Sequence, residues 1–110
     1  MKPPTTTEQI IDGNGFADKP GPRPGAWLSA DQIAICCAYL SRFAEPTKTI
    51  RRKRSSYGWK HVVEGWAGTY ISNGAFMVAA RILGYRLERI GGGPNAWLNL
   101  STRQREAVAA

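Results

Sequence analysis

Between Ser72 and Gly84 the chain runs Asn-Gly-Ala-Phe-Met-Val-Ala-Ala-Arg-Ile-Leu, and only Asn73 and Arg81 are clearly polar. The flanks predict a helix. Ser72 suits an N-cap, Ile71 and Phe76 stand in the hydrophobic-staple positions, and Gly84 suits the residue that closes a helix. A helix that is apolar nearly all round has no face to give to water, so it belongs at the centre of the fold. The rest of the sequence has to supply its cover.

Two further helices are predicted. Ser29-Ala30-Asp31-Gln32 reads as a capping box, with Leu28 and Ile33 as its staple. Ile33, Cys36, Cys37, Leu40, Phe43 and Ala44 then recur at helical spacing down to Glu45, where Pro46 is expected to stop the helix, giving 29–45. A second helix starts at Ser55 or Ser56 and closes at Gly68. Its Trp59, Val62, Val63 and Trp66 form an inward stripe, and Lys60, His61 and Glu64 are expected to face outward. Residues 47–54 allow a short edge strand between these two helices. After Gly84 the period changes, and 85–90 and 96–100 flank Gly91-Gly92-Gly93-Pro94-Asn95 as a β-hairpin. Ser101-x-x-Gln104 repeats the capping pattern, so 102–110 is read as a tail or a short helix.

The first 26 residues hold five of the seven prolines and four of the twelve glycines. Such a composition buries little apolar surface against the entropy of ordering, so 1–26 is read as a flexible, disordered arm. Its charges cancel, Lys2, Lys19 and Arg23 against Glu8, Asp12 and Asp18. The net charge of +7 therefore belongs to the remaining 84 residues. A domain that small, taken as 27–101, leaves little room for an enclosed catalytic cavity. No apolar run approaches the roughly 18–20 residues of a membrane span and no secretory leader is visible, so the chain reads as cytoplasmic.

Catalytic and metal chemistry find little footing. Adjacent Cys36 and Cys37 rarely have the geometry to bridge each other and read as reduced thiols. The single histidine, His61, leaves a zinc site short of ligands, so no metal or cofactor is expected. Pairing His61 with either cysteine as base and nucleophile conflicts with the cysteines' place on or beside an apolar stripe. Gly91-Gly92-Gly93 lacks the Gly-Lys-Ser/Thr that completes a phosphate loop. Trp59 and Trp66 are assigned to the core, whereas Tyr57 and Trp97 are divided between core and surface. No catalytic residue is nominated.

The sharpest local feature is Arg51-Arg52-Lys53-Arg54. With Lys48 and Lys60 it places six basic residues in thirteen positions without an acidic one among them. Mutual repulsion on that scale favours a bound polyanion. The predicted order of helix, short strand, helix, tight turn, helix and hairpin resembles a winged helix-turn-helix, an α+β layout of three helices followed by a C-terminal β-hairpin. That resemblance implies a non-enzymatic nucleic-acid-binding protein with double-stranded DNA as partner. Lys48, Arg51, Arg52, Lys53, Arg54 and Lys60 would hold phosphates, assisted by Arg81, Arg86, Arg89 and Asn95, with Asn73 the candidate for a base contact. The third helix carries too few polar residues for extensive base reading. A second reading is therefore kept: a protein-interaction module, a small inhibitor or adaptor docking its basic face on an acidic partner or a nucleic-acid-processing complex.

Overall fold

The computed structural model describes residues 10–18 and 27–102. Among them lie three helices and two small antiparallel sheets, an α+β arrangement without a closed barrel. Strands β1 (Ile10–Asp12) and β2 (Gly15–Ala17) pair as a hairpin. Helix α1 (Ala30–Phe43) leads into β3 (Ala44–Arg51), and helices α2 (Ser56–Ala67) and α3 (Asn73–Ile82) follow. Strands β4 (Leu87–Arg89) and β5 (Ala96–Thr102) complete a second sheet of order β3-β5-β4. No helix among the described residues is long and apolar enough to cross a membrane.

The predicted caps form. Ser29, Ser55 and Ser72 each accept a backbone N–H from the residue three positions on, which satisfies a donor that the helix itself cannot. The Gln32 carboxamide does not close a capping box on Ser29. Its oxygen instead accepts the Ser72 amide at 2.9 Å, tying the starts of α1 and α3 together. Helix α3 is the buried centre: Ala75, Phe76, Met77, Ala79 and Ala80 are fully enclosed. Tyr39, Leu40 and Phe43 from α1, Trp59 and Val63 from α2, and Leu98 and Leu100 from β5 share its core. Trp66 packs edge-on against Tyr39 and Phe43, so both helix-α2 tryptophans serve the core, while Tyr57 is half exposed.

Several expectations are corrected. The edge strand allowed over 47–54 begins earlier: β3 spans Ala44–Arg51 between α1 and α2, interleaved with the helices, and pairs with the second strand of the hairpin. Helix α1 ends at Phe43, two residues short of the expected 45, because Ala44 is already extended. Pro46 therefore lies in β3, an edge strand, the kind of sheet position where proline is tolerated. Pairing is irregular between Pro46 and Arg51, and the Asn99 carboxamide bridges that gap, donating to the Thr47 carbonyl and accepting the Arg86 amide. Ser101 pairs with Glu45 within β5, and the tail or short helix expected beyond it, 103–110, lies outside the described residues.

The largest correction concerns the arm. Residues 1–9 and 19–26 lie outside the described residues, but 10–18 form an ordered hairpin seated on the start of α3 and on the β4–β5 tip. Phe16 is 3% exposed and packs with Met77 and Ala96. The Phe16 amide donates to Pro94, and the Gly74 amide donates to Gly13. Two glycines make this approach possible. A Cβ on Gly74 would overlap the Asp12 carbonyl, and one on Gly15, where φ is +119°, would overlap the Pro94 carbonyl.

Candidate functional site

The basic run divides when it folds. It occupies the β3–α2 connection, where Arg51, Lys53 and Arg54 line a cleft of about 230 Å³ together with Trp59, Ser101 and Thr102. The Arg54 guanidinium stacks over Trp59 at 4.7 Å, an arrangement that holds an otherwise mobile cation in place while its edge stays in water. Three cations on one wall make it suited to an oxyanion, because phosphate oxygens accept from guanidinium and ammonium donors alike. Arg52 turns the other way and forms a two-point ion pair with Glu88, at 2.8 and 2.7 Å. The pair holds the Glu88 carboxyl below its ordinary range and raises Arg52.

The other nominated residues fare differently. Lys48 is exposed on β3, and its carbonyl accepts from the exposed Arg86 side chain at 2.6 Å, so the two stand together across the sheet. Arg81 is exposed near the end of α3. Arg89 is a clasp for the hairpin tip: it donates to the Gly92 and Gly93 carbonyls and to Asp18, with its side chain 18% exposed. A compact chain of +7 charge therefore offers Arg51, Lys53 and Arg54 at one wall, and Lys48 with Arg86 on the sheet.

Lys60 and Asn73 need correction. Lys60, expected to face outward, is 5% exposed, because its ammonium is drawn to Glu64 at 3.0 Å and lies over the rings of Tyr70 and Tyr57 at 4.6 and 5.2 Å. Asn73, expected to reach a base from an open helix start, is 6% exposed because the β1–β2 hairpin covers it. Its Nδ2 donates to Asn14, Pro94 and Asn95. Its Oδ1 is buried with no hydrogen-bond partner among the described residues, a condition that typically costs about 1–3 kcal/mol.

These two residues, with Asn95, meet in a second cleft of about 450 Å³ that Tyr57, Tyr70 and Asn14 also line. Glu64 organises its back wall, accepting from Lys60 and from the Ile71 amide and lying 2.8 Å from His61 Nδ1. Burial pushes the Glu64 carboxyl up, but the Ile71 amide, Lys60 and His61 outweigh it and hold the group below its ordinary value.

A comparison with protein-family models, curated proteins and solved structures finds no match. The two clefts and their chemistry are therefore the ground for a functional reading.

The cysteines stand apart from both clefts. Cys36 is fully buried in the core, and burial, with the neighbouring Cys37, pushes its thiol up to about 12. His61 instead meets Glu64 and the edge of Tyr57. Sequence reasoning left Tyr70 in a three-residue connector, since nothing local distinguishes an exposed connector tyrosine from one that lines a cleft.

Proposed function

We propose that this chain is a small, non-enzymatic nucleic-acid-binding protein that holds the phosphates of DNA at its β3–α2 connection. The observation that carries the reading is the convergence of Arg51, Lys53 and Arg54 with Ser101 and Thr102 on one cleft. Such contacts position a polyanion without reading sequence. The succession α1-β3-α2-α3-β4-β5, with β5 between β3 and β4, is in keeping with a winged-helix-like layout.

The mechanism departs from the usual one of that layout. The β1–β2 hairpin occupies the start of α3, and the Gly74 and Ala75 amides are already bonded to Gly13 and Ser72. Helix α3 therefore does not enter a groove; it carries the connection that does the binding. The cytoplasm, where nucleic acid is accessible, is the proposed location.

Fluorescence anisotropy with labelled duplex DNA tests the reading. If Lys48, Arg51, Lys53, Arg54 and Arg86, five of the exposed cations, each neutralise a phosphate, log affinity falls against log salt with a slope of about −4 to −5. Binding that is undetectable at about 50 mM salt, or indifferent to salt, would refute it. Exposed Ile82 and Leu83, 64% and 40% accessible beside Arg81, favour the second reading, an adaptor or inhibitor docking on an acidic partner. Co-purification that survives nuclease and high salt would support that alternative.

A further inference from the structure

The second cleft is not a phosphate wall. Its lining combines two accessible aromatic rings, Tyr57 at 50% and Tyr70 at 64%, with the carboxamides of Asn73 and Asn95 and the buried ammonium of Lys60. Among the described residues Lys60 has one hydrogen-bond partner, Glu64, for three donor positions. Asn73, 6% exposed, braces the cleft from behind: its Nδ2 is taken by Asn14, Pro94 and Asn95, and its Oδ1 is closed to solvent. Buried donors are nearly always satisfied, so the remaining donor positions of Lys60 at the cleft wall point to a group that the folded chain does not itself supply.

The chemistry narrows the ligand. Accessible tyrosine rings offer faces for stacking, the half-buried Asn95 carboxamide offers a polar edge, and an ammonium seeks an oxygen. A planar ring with a mixed donor and acceptor edge, attached to an anionic backbone, meets all three. A volume of about 450 Å³ lies within the roughly 300–1,000 Å³ of small-ligand sites.

We propose that the cleft between α2, the start of α3, the β1–β2 hairpin and the β4–β5 tip binds one unpaired nucleobase, stacked on Tyr57 or Tyr70 with its edge toward Asn95 and Lys60. The inference rests on the reading of the chain as nucleic-acid-binding, and it extends that reading from backbone to base. Trp59 lines the phosphate cleft while Tyr57 and Lys60 line this one, so the first turns of α2 contribute to both.

The test uses the full chain and four probes of known composition: a single-stranded oligonucleotide carrying 2-aminopurine, the duplex of the same sequence, an abasic strand of equal length, and free nucleoside monophosphates. The single strand should bind about tenfold or more tightly than the abasic strand, with 2-aminopurine fluorescence quenched on binding. Tyr57→Ala with Tyr70→Ala should abolish that difference while leaving the salt slope unchanged, with the melt falling modestly because both rings pack on the Lys60 ammonium. Tyr70→Trp alone should retain the difference.

Equal binding of base-bearing and abasic strands, or a double alanine variant indistinguishable from the parent, would overturn the base site and leave the phosphate reading standing. Tyrosine-dependent binding of monophosphates without oligonucleotide binding would sustain the base site, assign it to free nucleotides, and overturn the nucleic-acid reading. Loss of every oligonucleotide in Arg51→Ala, Lys53→Ala, Arg54→Ala with monophosphate binding retained would support two separate sites.

Discussion

Two glycines within helices should respond to the same substitution with opposite signs. Gly74 sits in the first turn of α3 beneath the β1–β2 hairpin, where a Cβ would overlap the Asp12 carbonyl oxygen and crowd Gly13. Backbone cannot swing aside as a side-chain end can, so Gly74→Ala must either strain the contact or lift the hairpin. Overpacking of this kind costs about 1–3 kcal/mol. Lifting the hairpin instead exposes Phe16, worth roughly 1.5–3 kcal/mol of burial. It also breaks the hydrogen bonds donated by the Gly74 amide to the Gly13 carbonyl and by the Phe16 amide to the Pro94 carbonyl, at about 0.5–1.5 kcal/mol each. Release of chain entropy offsets part of that loss, so the cheaper route leaves a destabilisation of about 2 kcal/mol.

Gly65, in α2, meets nothing within 4 Å of an added Cβ. There Ala replaces the least favourable non-proline helix residue with the most favourable, and about 0.5–1 kcal/mol of stabilisation is expected. Urea unfolding of the parent and both variants measures the pair, and amide exchange at Phe16 shows whether the hairpin has lifted. A Gly74→Ala protein as stable as the parent, with Phe16 still protected, would refute the close hairpin contact and with it the argument that α3 is closed to a DNA groove.

Other outcomes follow from the same contacts. Glu64 is held below its ordinary carboxyl value, 4.5; its stabilising contribution is therefore complete above that value and is lost as pH falls through the lowered folded value. Glu64→Gln should flatten the acid limb of a melting-temperature profile and lower stability at neutral pH, and an unchanged profile would remove Glu64 from its central place behind the second cleft. Thiol titration with a disulfide reagent should label half-buried Cys37 well ahead of Cys36, whose thiol, pushed up to about 12, stays protonated at neutral pH; simultaneous labelling of both in native protein would contradict the packing of α1.

Local signals carried most of the helices and the hairpin into view. Serine caps, staples and terminal glycines act through the nearest turn, so Ser29, Ser55, Ser72 and Gly68 can be read without tertiary knowledge. The N-terminal hairpin carried an equally local signal, Asp12-Gly13-Asn14-Gly15 between Ile10-Ile11 and Phe16-Ala17, a turn sequence between apolar pairs. A composition argument spread over 26 residues hid it. Burial of Lys60 and Asn73 was not legible, because Lys60 is drawn inward by Tyr70 and Glu64, and Asn73 is covered by a segment some sixty positions away. The split of the basic run was equally hidden: Arg52 and its neighbours look alike until Glu88 takes one of them. Residue types nominated the phosphate wall, and long-range pairing decided which members face it.

The central claim, that Arg51, Lys53 and Arg54 hold a phosphate backbone, is tested most directly by the salt dependence of duplex binding in the parent and in the triple variant Arg51→Ala, Lys53→Ala, Arg54→Ala. Three lost phosphate contacts at about 0.9 counterion each predict a slope of log affinity against log salt shallower by about 2.7, with the thermal melt of these exposed positions little changed. Parallel lines for the two proteins would contradict the account, since equal slopes mean that none of the three cations meets a phosphate.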